Sequence, residues 1–283
     1  MPSIEQTLKS AQSQLIQAGL VDSPKLDAEL LLCNILQVNR TYLFTWPEKD
    51  VSPEQSITFQ ANLQKRLSGH PIAHIIGHRE FWGLDLIVSK DTLIPRPDTE
   101  TLIEAVLSLK EVSDPNKNCS IVDLGTGSGA IALALKSELP HCTISALDQS
   151  LPALEVAKQN AQNNRLEVEF LHSNWFSAIE QQQFDCIVSN PPYIEDDDPH
   201  LQQGDVRFEP LSALTSGSDG LNDIRLIIDQ AWLHLYKQGW LVIEHGYNQA
   251  ESINQLFQKA GYQNLQLHKD LAGNPRISLG QKT

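Results

Sequence analysis

The chain has 283 residues, 41% of them hydrophobic and 20% charged, which is a globular balance with room for one large domain or two smaller ones. No apolar run reaches membrane-span length, and MPSIEQTLKS lacks a basic-then-apolar leader pattern, so the cytoplasm is the expected compartment. The net charge is −14, and residues 98–283 carry 25 of the 35 acidic but only 12 of the 21 basic side chains, which disfavours a nucleic-acid partner and favours a cationic ligand or a basic protein.

Residues 1–77 are expected to form a small helical domain. Ser3 caps a helix with Ile4, Leu8, Ala11, Leu15 and Ala18 on one face, stopped by Gly19. Ser23-Pro24 opens a second helix, with Leu26, Leu30, Ile35 and Leu36 expected inward. Ser52-Pro53-Glu54 opens another, with Ile57, Ala61 and Leu67 inward, ending at Ser68-Gly69. Residues 78–97 alternate apolar and polar side chains around a glycine and predict a β-hairpin linker. IPRPDTE (94–100) then starts a helix at Pro97-Asp98.

From residue 119 strands and helices alternate. Strands are predicted at 120–124, 142–147, 168–172, 184–189 and 240–245, with helices near 129–138, 151–164 and 222–236. That alternation predicts a mostly parallel sheet with helices on both faces. A helix at 249–260 precedes strands at 264–269 and 275–280, close enough to pair antiparallel. The expected fold is therefore α/β, with residues 98–283 as one Rossmann-like domain.

The four cysteines, Cys33, Cys119, Cys142 and Cys186, form no CxxC pair and are expected to be reduced structural thiols. His70, His74 and His78 have helical spacing, but Pro71 and Gly77 interrupt it and no metal site is expected.

IVDLGTGSGAIALAL (121–135) is a strand, a glycine-rich turn and a helix start. Gly125, Gly127 and Gly129 let backbone approach a ligand closely at a helix N-terminus. Gly125-x-Gly127-x-x-Ala130 also fits the dinucleotide fingerprint, so an oxidoreductase or a non-catalytic nucleotide-binding module stands as one alternative. Asp148 ends the next strand, where a carboxylate accepts ribose hydroxyls. Asn174 and Trp175, at the end of the third, can pair with and pack on an adenine edge. SNPPYI (189–194) ends the fourth; its prolines force the chain out of the sheet and leave Asn190 and Tyr193 beside the glycine turn.

DLGTGSG, the acidic end of strand two and NPPY after strand four together resemble the motif set of class I S-adenosylmethionine-dependent methyltransferases. With IPRPDTE, DPHLQQGDVRFEPLSAL (198–214) and EHG (244–246) added, the whole chain is similar to the HemK/PrmC family, the N5-glutamine methyltransferases of peptide chain release factors. The resemblance implies S-adenosylmethionine contacts at Gly125, Thr126, Gly127, Ser128, Gly129, Asp148, Asn174, Trp175 and Asn190. It places the substrate glutamine, that of the GGQ motif, against Asn190, Pro191, Pro192 and Tyr193, with Asn190, Pro191 and Tyr193 as the catalytic set. It also assigns partner recognition to the helical domain. Asn174 stands where many methyltransferases carry Asp, and its oxygen can still accept from the adenine amino group. A nucleic-acid amino-methyltransferase acting on adenine N6 or guanine N2 is the other alternative, since a base NH₂ presents the same two donors. Arg207 and Glu209 are expected to fix the loop after NPPY, and Phe81, Arg96 and Glu100 either to line the approach or to join the domains. A monomer is expected.

Overall fold

The computed structural model describes residues 1–283. They divide into two compact units, one of residues 1–78 with 200–208 and one of residues 79–199 with 209–283.

The first unit holds α1 (Ile4–Gln17), α2 (Pro24–Leu36), α3 (Arg40–Thr45), α4 (Pro53–Leu67) and α5 (Ile72–Ile76). Ser3 and Ser52 each build a full capping box, with Gln6 and Gln55 returning the hydrogen bond. The core is Ile4, Ala11 and Leu15 against Leu31, Leu32, Leu43, Phe59 and Leu63. Two helices match the sequence expectation in part: Ile35, Leu36 and Leu67 pack on this core as expected, and Leu26, Ile57 and Ala61 do not. In α2 the buried set is Asp27, Ala28, Glu29, Leu31 and Leu32 while Leu26 is exposed; in α4 it is Phe59 and Leu63 while Ile57 is exposed. In α2 the difference has an electrostatic side. Asp27 accepts from Arg66 Nε at 2.7 Å and Glu29 from Arg40 Nη2 at 2.6 Å, so two carboxylates that periodicity assigns to solvent are neutralised inside.

The second unit begins with the hairpin β1 (His78–Phe81) and β2 (Leu84–Ile87), followed by a 3₁₀ turn at Pro97–Thr99, α6 (Glu100–Leu107) and the short α7 (Lys110–Ser113). Then come β3 (Ser120–Leu124), α8 (Ala130–Glu138), β4 (Thr143–Asp148), α9 (Leu151–Asn164), β5 (Glu169–His172) and β6 (Phe184–Ser189). α10 (Asn222–His234), β7 (Leu235–Glu244), α11 (Ala250–Lys259), β8 (Gln263–Lys269) and β9 (Pro275–Gln281) complete it. The seven strands are ordered β5-β4-β3-β6-β7-β9-β8. The first five run parallel, and β9 pairs antiparallel with both β7 and β8. The sheet is apolar on both faces because both are covered. Ile121 and Val188 pack with α6 and α8, and Val122 and Ile187 with α10 and α11. β7 starts five residues earlier than expected; Gln238 adopts a positive φ of 69° and the register with β6 shifts there.

The pairing register has two consequences. Ser120 lies opposite Thr143, so the preceding Cys119 and Cys142 sit side by side, and they are joined as a disulfide. That corrects the expectation of reduced thiols; Cys33 and Cys186 are free. At the other end, Leu124 aligns with Leu147 and Ser189, and Ser189 with Ile243. The next residue of each strand, Gly125, Asp148, Asn190 and Glu244, therefore stands in one row along the carboxyl edge, where open α/β sheets bind ligands.

Candidate active site

The row begins at the glycine turn. Gly125 N and Thr126 N both donate to Leu147 O, at 2.8 and 2.9 Å, which ties the turn to β4. Thr126 Oγ1 donates to Asp123 Oδ2 at 2.6 Å, and Gly127 N to Asp148 Oδ2 at 2.8 Å. Gly125 is favoured by its φ of +74°, and the Trp175 ring packs beside it. Gly129, at φ +85°, lets α9 approach; a Cβ there would meet Ala157 Cβ at 3.2 Å.

Asp148 is the polar hub. Its Oδ1 accepts from Ser150 N at 2.8 Å while Oδ2 holds Gly127, and burial raises its carboxyl above the ordinary range. Asp123 is wholly buried and burial pushes it up to about 7, helped by the nearby Asp148 charge. Beyond β5, Trp175 sits at a positive φ of 49°, held by Ser173 Oγ, which donates to Trp175 O at 2.7 Å. A bulky residue in that region marks a strained, over-determined position.

After β6, Ser189 Oγ donates to Leu124 O at 2.8 Å, and Asn190 Nδ2 donates to Thr99 Oγ1 at 3.3 Å. Backbone bonds to the following loop fix the next residues. Tyr193 N and Ile194 N donate to Leu214 O, and Gln249 Nε2 donates to Tyr193 O at 2.9 Å. The Tyr193 hydroxyl is raised by burial, with Glu244 adding to the effect, and stays protonated.

These segments surround a cavity of about 180 Å³, open on one side to solvent. Gly125, Gly127, Asp148, Asn174, Trp175, Asn190 and Pro192 line it. Thr126, Ser128, Gly129, Pro191 and Tyr193 do not. Thr126 is committed to Asp123, and the Ser128 carbonyl accepts from Asn160 Nδ2 at 2.9 Å. Sequence reasoning missed other wall residues. Asp91, Thr92 and Leu93, after the hairpin, form one side, and Pro210, Ser212 and Ala213 another. Asp91–Leu93 belong to no motif, and Pro210, Ser212 and Ala213 lie within the family segment 198–214 but were not singled out in it.

Glu209 anchors the second wall as expected: its side chain is fully buried, pairs with Arg96 and accepts from Ile94 N at 3.4 Å. Arg207 instead belongs to the helical unit, stacked on Phe208 and donating to Ser68 O at 3.4 Å. Phe81 is a core residue and Glu100 accepts from Trp82 N, so neither lines the cavity.

The donor set fits S-adenosylmethionine. A carboxylate at the second strand end suits a ribose diol, and an aromatic face with the Asn174 amide suits adenine.

Comparison with known proteins agrees. The PrmC N-terminal domain model matches residues 6–77, and the methyltransferase small domain model matches residues 100–205. The release factor glutamine methyltransferase of Aliivibrio fischeri is 49% identical over 281 residues, covering 99% of this chain and 97% of that protein. The Escherichia coli protein of the same name is 48% identical, covering 97% of both. Among solved structures, a methyltransferase from Pyrococcus furiosus is 19% identical, with a TM-score of 0.55 over 79% of this chain and 97% of that one, which is a likeness of fold. Near-full-length identity of this order, over both the helical and the sheet regions, settles the matter: the chain belongs to the S-adenosylmethionine-dependent release factor glutamine methyltransferase family.

Proposed function

We propose that the protein methylates the side-chain amide nitrogen (N5) of a glutamine, that of the GGQ motif, in a peptide chain release factor. Bound S-adenosylmethionine supplies an electrophilic methyl group on a sulfonium and leaves as a neutral thioether. The protein's own task is to present a poor nucleophile, since an amide nitrogen's lone pair is delocalised into its carbonyl. The observation that carries the reading is the direction of Asn190. Its Nδ2 is spent on Thr99, so the side-chain oxygen is the atom left to face the cavity, beside the glycine turn and Asp148.

In this reading Asn190 Oδ1 and the Pro191 carbonyl each accept one N–H of the substrate amide. Both acceptors favour positive charge on the nitrogen and aim it along the line of transfer. The proline turn and the Leu214 and Gln249 bonds set them in place before substrate arrives. Pro192 packs on the planar amide, and Tyr193, packed against the core, holds the turn that carries it. No base is needed before transfer, and the proton leaves afterwards to solvent. Gly125, Gly127, Asp148, Asn174 and Trp175 hold the cofactor, and Thr126, Ser128 and Gly129 hold the shape of that cradle. The helical unit is assigned to recognition of the release factor, with no metal involved and the cytoplasm as the compartment.

The test is incubation with methyl-labelled S-adenosylmethionine and either purified release factor or nucleic acid, followed by mapping of the label. Label on a release-factor glutamine supports the reading, and label on a base amino group overturns it. Asn190→Ala is expected to bind the cofactor and lose most turnover.

A further inference from the structure

Asn190 is useful to an NH₂ substrate in only one of its two amide orientations. Turned over, it would point its own NH₂ at the substrate's, donor against donor. Thr99 cannot choose between them, because a hydroxyl donates and accepts equally well. An accepting oxygen is needed behind the threonine, and the strand register supplies one. Ser189 pairs with Ile243, so Glu244 follows in the same row as Asn190. Glu244 is 1% exposed and Thr99 4% exposed, and the Thr99 hydroxyl and the Asn190 side chain both lie close enough to the Glu244 carboxyl to favour its ionised form. Its second oxygen, Oε2, is buried without a partner.

We propose that Glu244 is a positioning residue for methyl transfer, which fixes the Asn190 amide with its oxygen toward the substrate. The carboxyl draws the Thr99 hydrogen toward itself. The Thr99 lone pairs are thereby turned to Asn190 Nδ2, at 3.3 Å, and the second Nδ2 hydrogen is free to point at the carboxyl. The alternative orientation would bring Asn190 Oδ1 against carboxyl oxygens inside the protein, where two acceptors face each other with no donor between them. One accepting oxygen suffices, so ionised and protonated Glu244 both serve. Arg276, which bridges Asp98 at 3.3 Å and Asp270 at 3.1 Å, places a charge near the carboxyl without occupying Oε2.

The inference rests on the proposed amide methylation and is tested with the full-length protein, a purified release factor and S-adenosylmethionine. Glu244→Gln keeps an accepting oxygen and is expected to retain kcat within about fivefold. Glu244→Met keeps the volume but no acceptor and is expected to lose about 100-fold in kcat, with the calorimetric Kd for S-adenosylmethionine within threefold of wild type. Thr99→Val, which cuts the relay without touching the carboxyl, covers the case in which Glu244→Met does not fold, and is expected to lose about tenfold in kcat. Unchanged kcat in the Met and Val variants overturns the proposal. So does a Gln variant as slow as the Met variant, or a loss of kcat matched by an equal loss of cofactor affinity, since a merely structural role moves all three together. A wild-type protein that methylates no glutamine removes the underlying function, a different result seen before any variant is made.

Discussion

Asp148→Asn is the sharpest probe of the cofactor cradle. The carboxylate uses both oxygens on backbone donors at once, Oδ2 on Gly127 N and Oδ1 on Ser150 N, each at 2.8 Å. An asparagine has one oxygen, so its NH₂ must face one of those N–H groups, and either the glycine turn or the start of α9 loses its anchor. A hydrogen bond to a charged group is worth about 1.5–3 kcal/mol, and the ribose hydroxyls lose the same anionic acceptor, so roughly 3–6 kcal/mol is at stake. Part of that is offset, because burial already raises the Asp148 carboxyl and a neutral amide is easier to bury. About 3 kcal/mol remaining corresponds to roughly 100-fold weaker cofactor binding. Calorimetry with S-adenosylmethionine and S-adenosylhomocysteine should show that loss for both ligands alike, since they share the nucleoside. A Kd within threefold of wild type would refute the assignment, and loss of only one ligand would place Asp148 near the sulfur instead of the ribose.

Other outcomes follow from the same geometry. Gly220→Ala places a Cβ 2.2 Å from Tyr193 O at a φ of +67° and should cost about 2–3 kcal/mol, read as a lowered melting temperature; Gly204→Ala, at φ +55° with nothing within 4 Å, should cost about 1 kcal/mol or less. Burial pushes the Glu244 carboxyl from 4.5 up to about 7, so the folded state holds its proton more tightly. That stabilisation is complete below pH 4.5 and is lost as the pH rises through 7, about 3 kcal/mol in all, so urea unfolding of wild type relative to Glu244→Gln should show the gap open between pH 5 and 8. A gap that is constant with pH would show that the carboxyl titrates normally. Arg66→Met leaves Asp27, its side chain 7% exposed, without its cation and should destabilise by about 3 kcal/mol, which a second Asp27→Leu change largely restores in denaturant melts.

The legible and illegible parts of this fold separate by the range of the interaction that decides them. β3, β4 and β6 were readable because a strand covered on both faces is a short apolar run, and the glycine turn and NPPY because their backbone constraints are local. The burial of Asp27 and Glu29 in α2 was not readable. Asp27 is neutralised by a residue 39 positions away and Glu29 by one 11 positions away, while hydrophobic periodicity reports only the helix itself. Cys119 and Cys142 meet through strand register, 23 residues apart. At the site, Asp148, Asn174, Trp175 and Asn190 were found because each ends a strand with a chemistry-bearing side chain. Thr92 and Ser212 were missed because they reach the cavity from loops whose course the sequence pattern does not fix. Glu244 left its trace as the first residue of EHG, a carboxylate at the end of the apolar run Trp240–Ile243.

That trace shows how the sheet edge is organised. Four carboxylates stand at or behind the cavity, and each one is tied to a neighbouring segment. Asp123 holds the Thr126 hydroxyl, Asp148 holds Gly127 and Ser150, Glu209 holds Ile94 and Arg96, and Glu244 is proposed to hold the Thr99–Asn190 pair. Loops that leave a sheet are ordinarily its most mobile part, yet a transfer reaction needs them fixed before substrate arrives. Buried acceptors meet that need because each satisfies donors that would otherwise lie unpaired, and the protein bears the desolvation cost as raised carboxyl pKa values at Asp123, Asp148 and Glu244. The acidity of residues 98–283 thus has two components. Exposed carboxylates set the field outside, and these buried ones act as fasteners, contributing geometry at the site even where they carry no full charge.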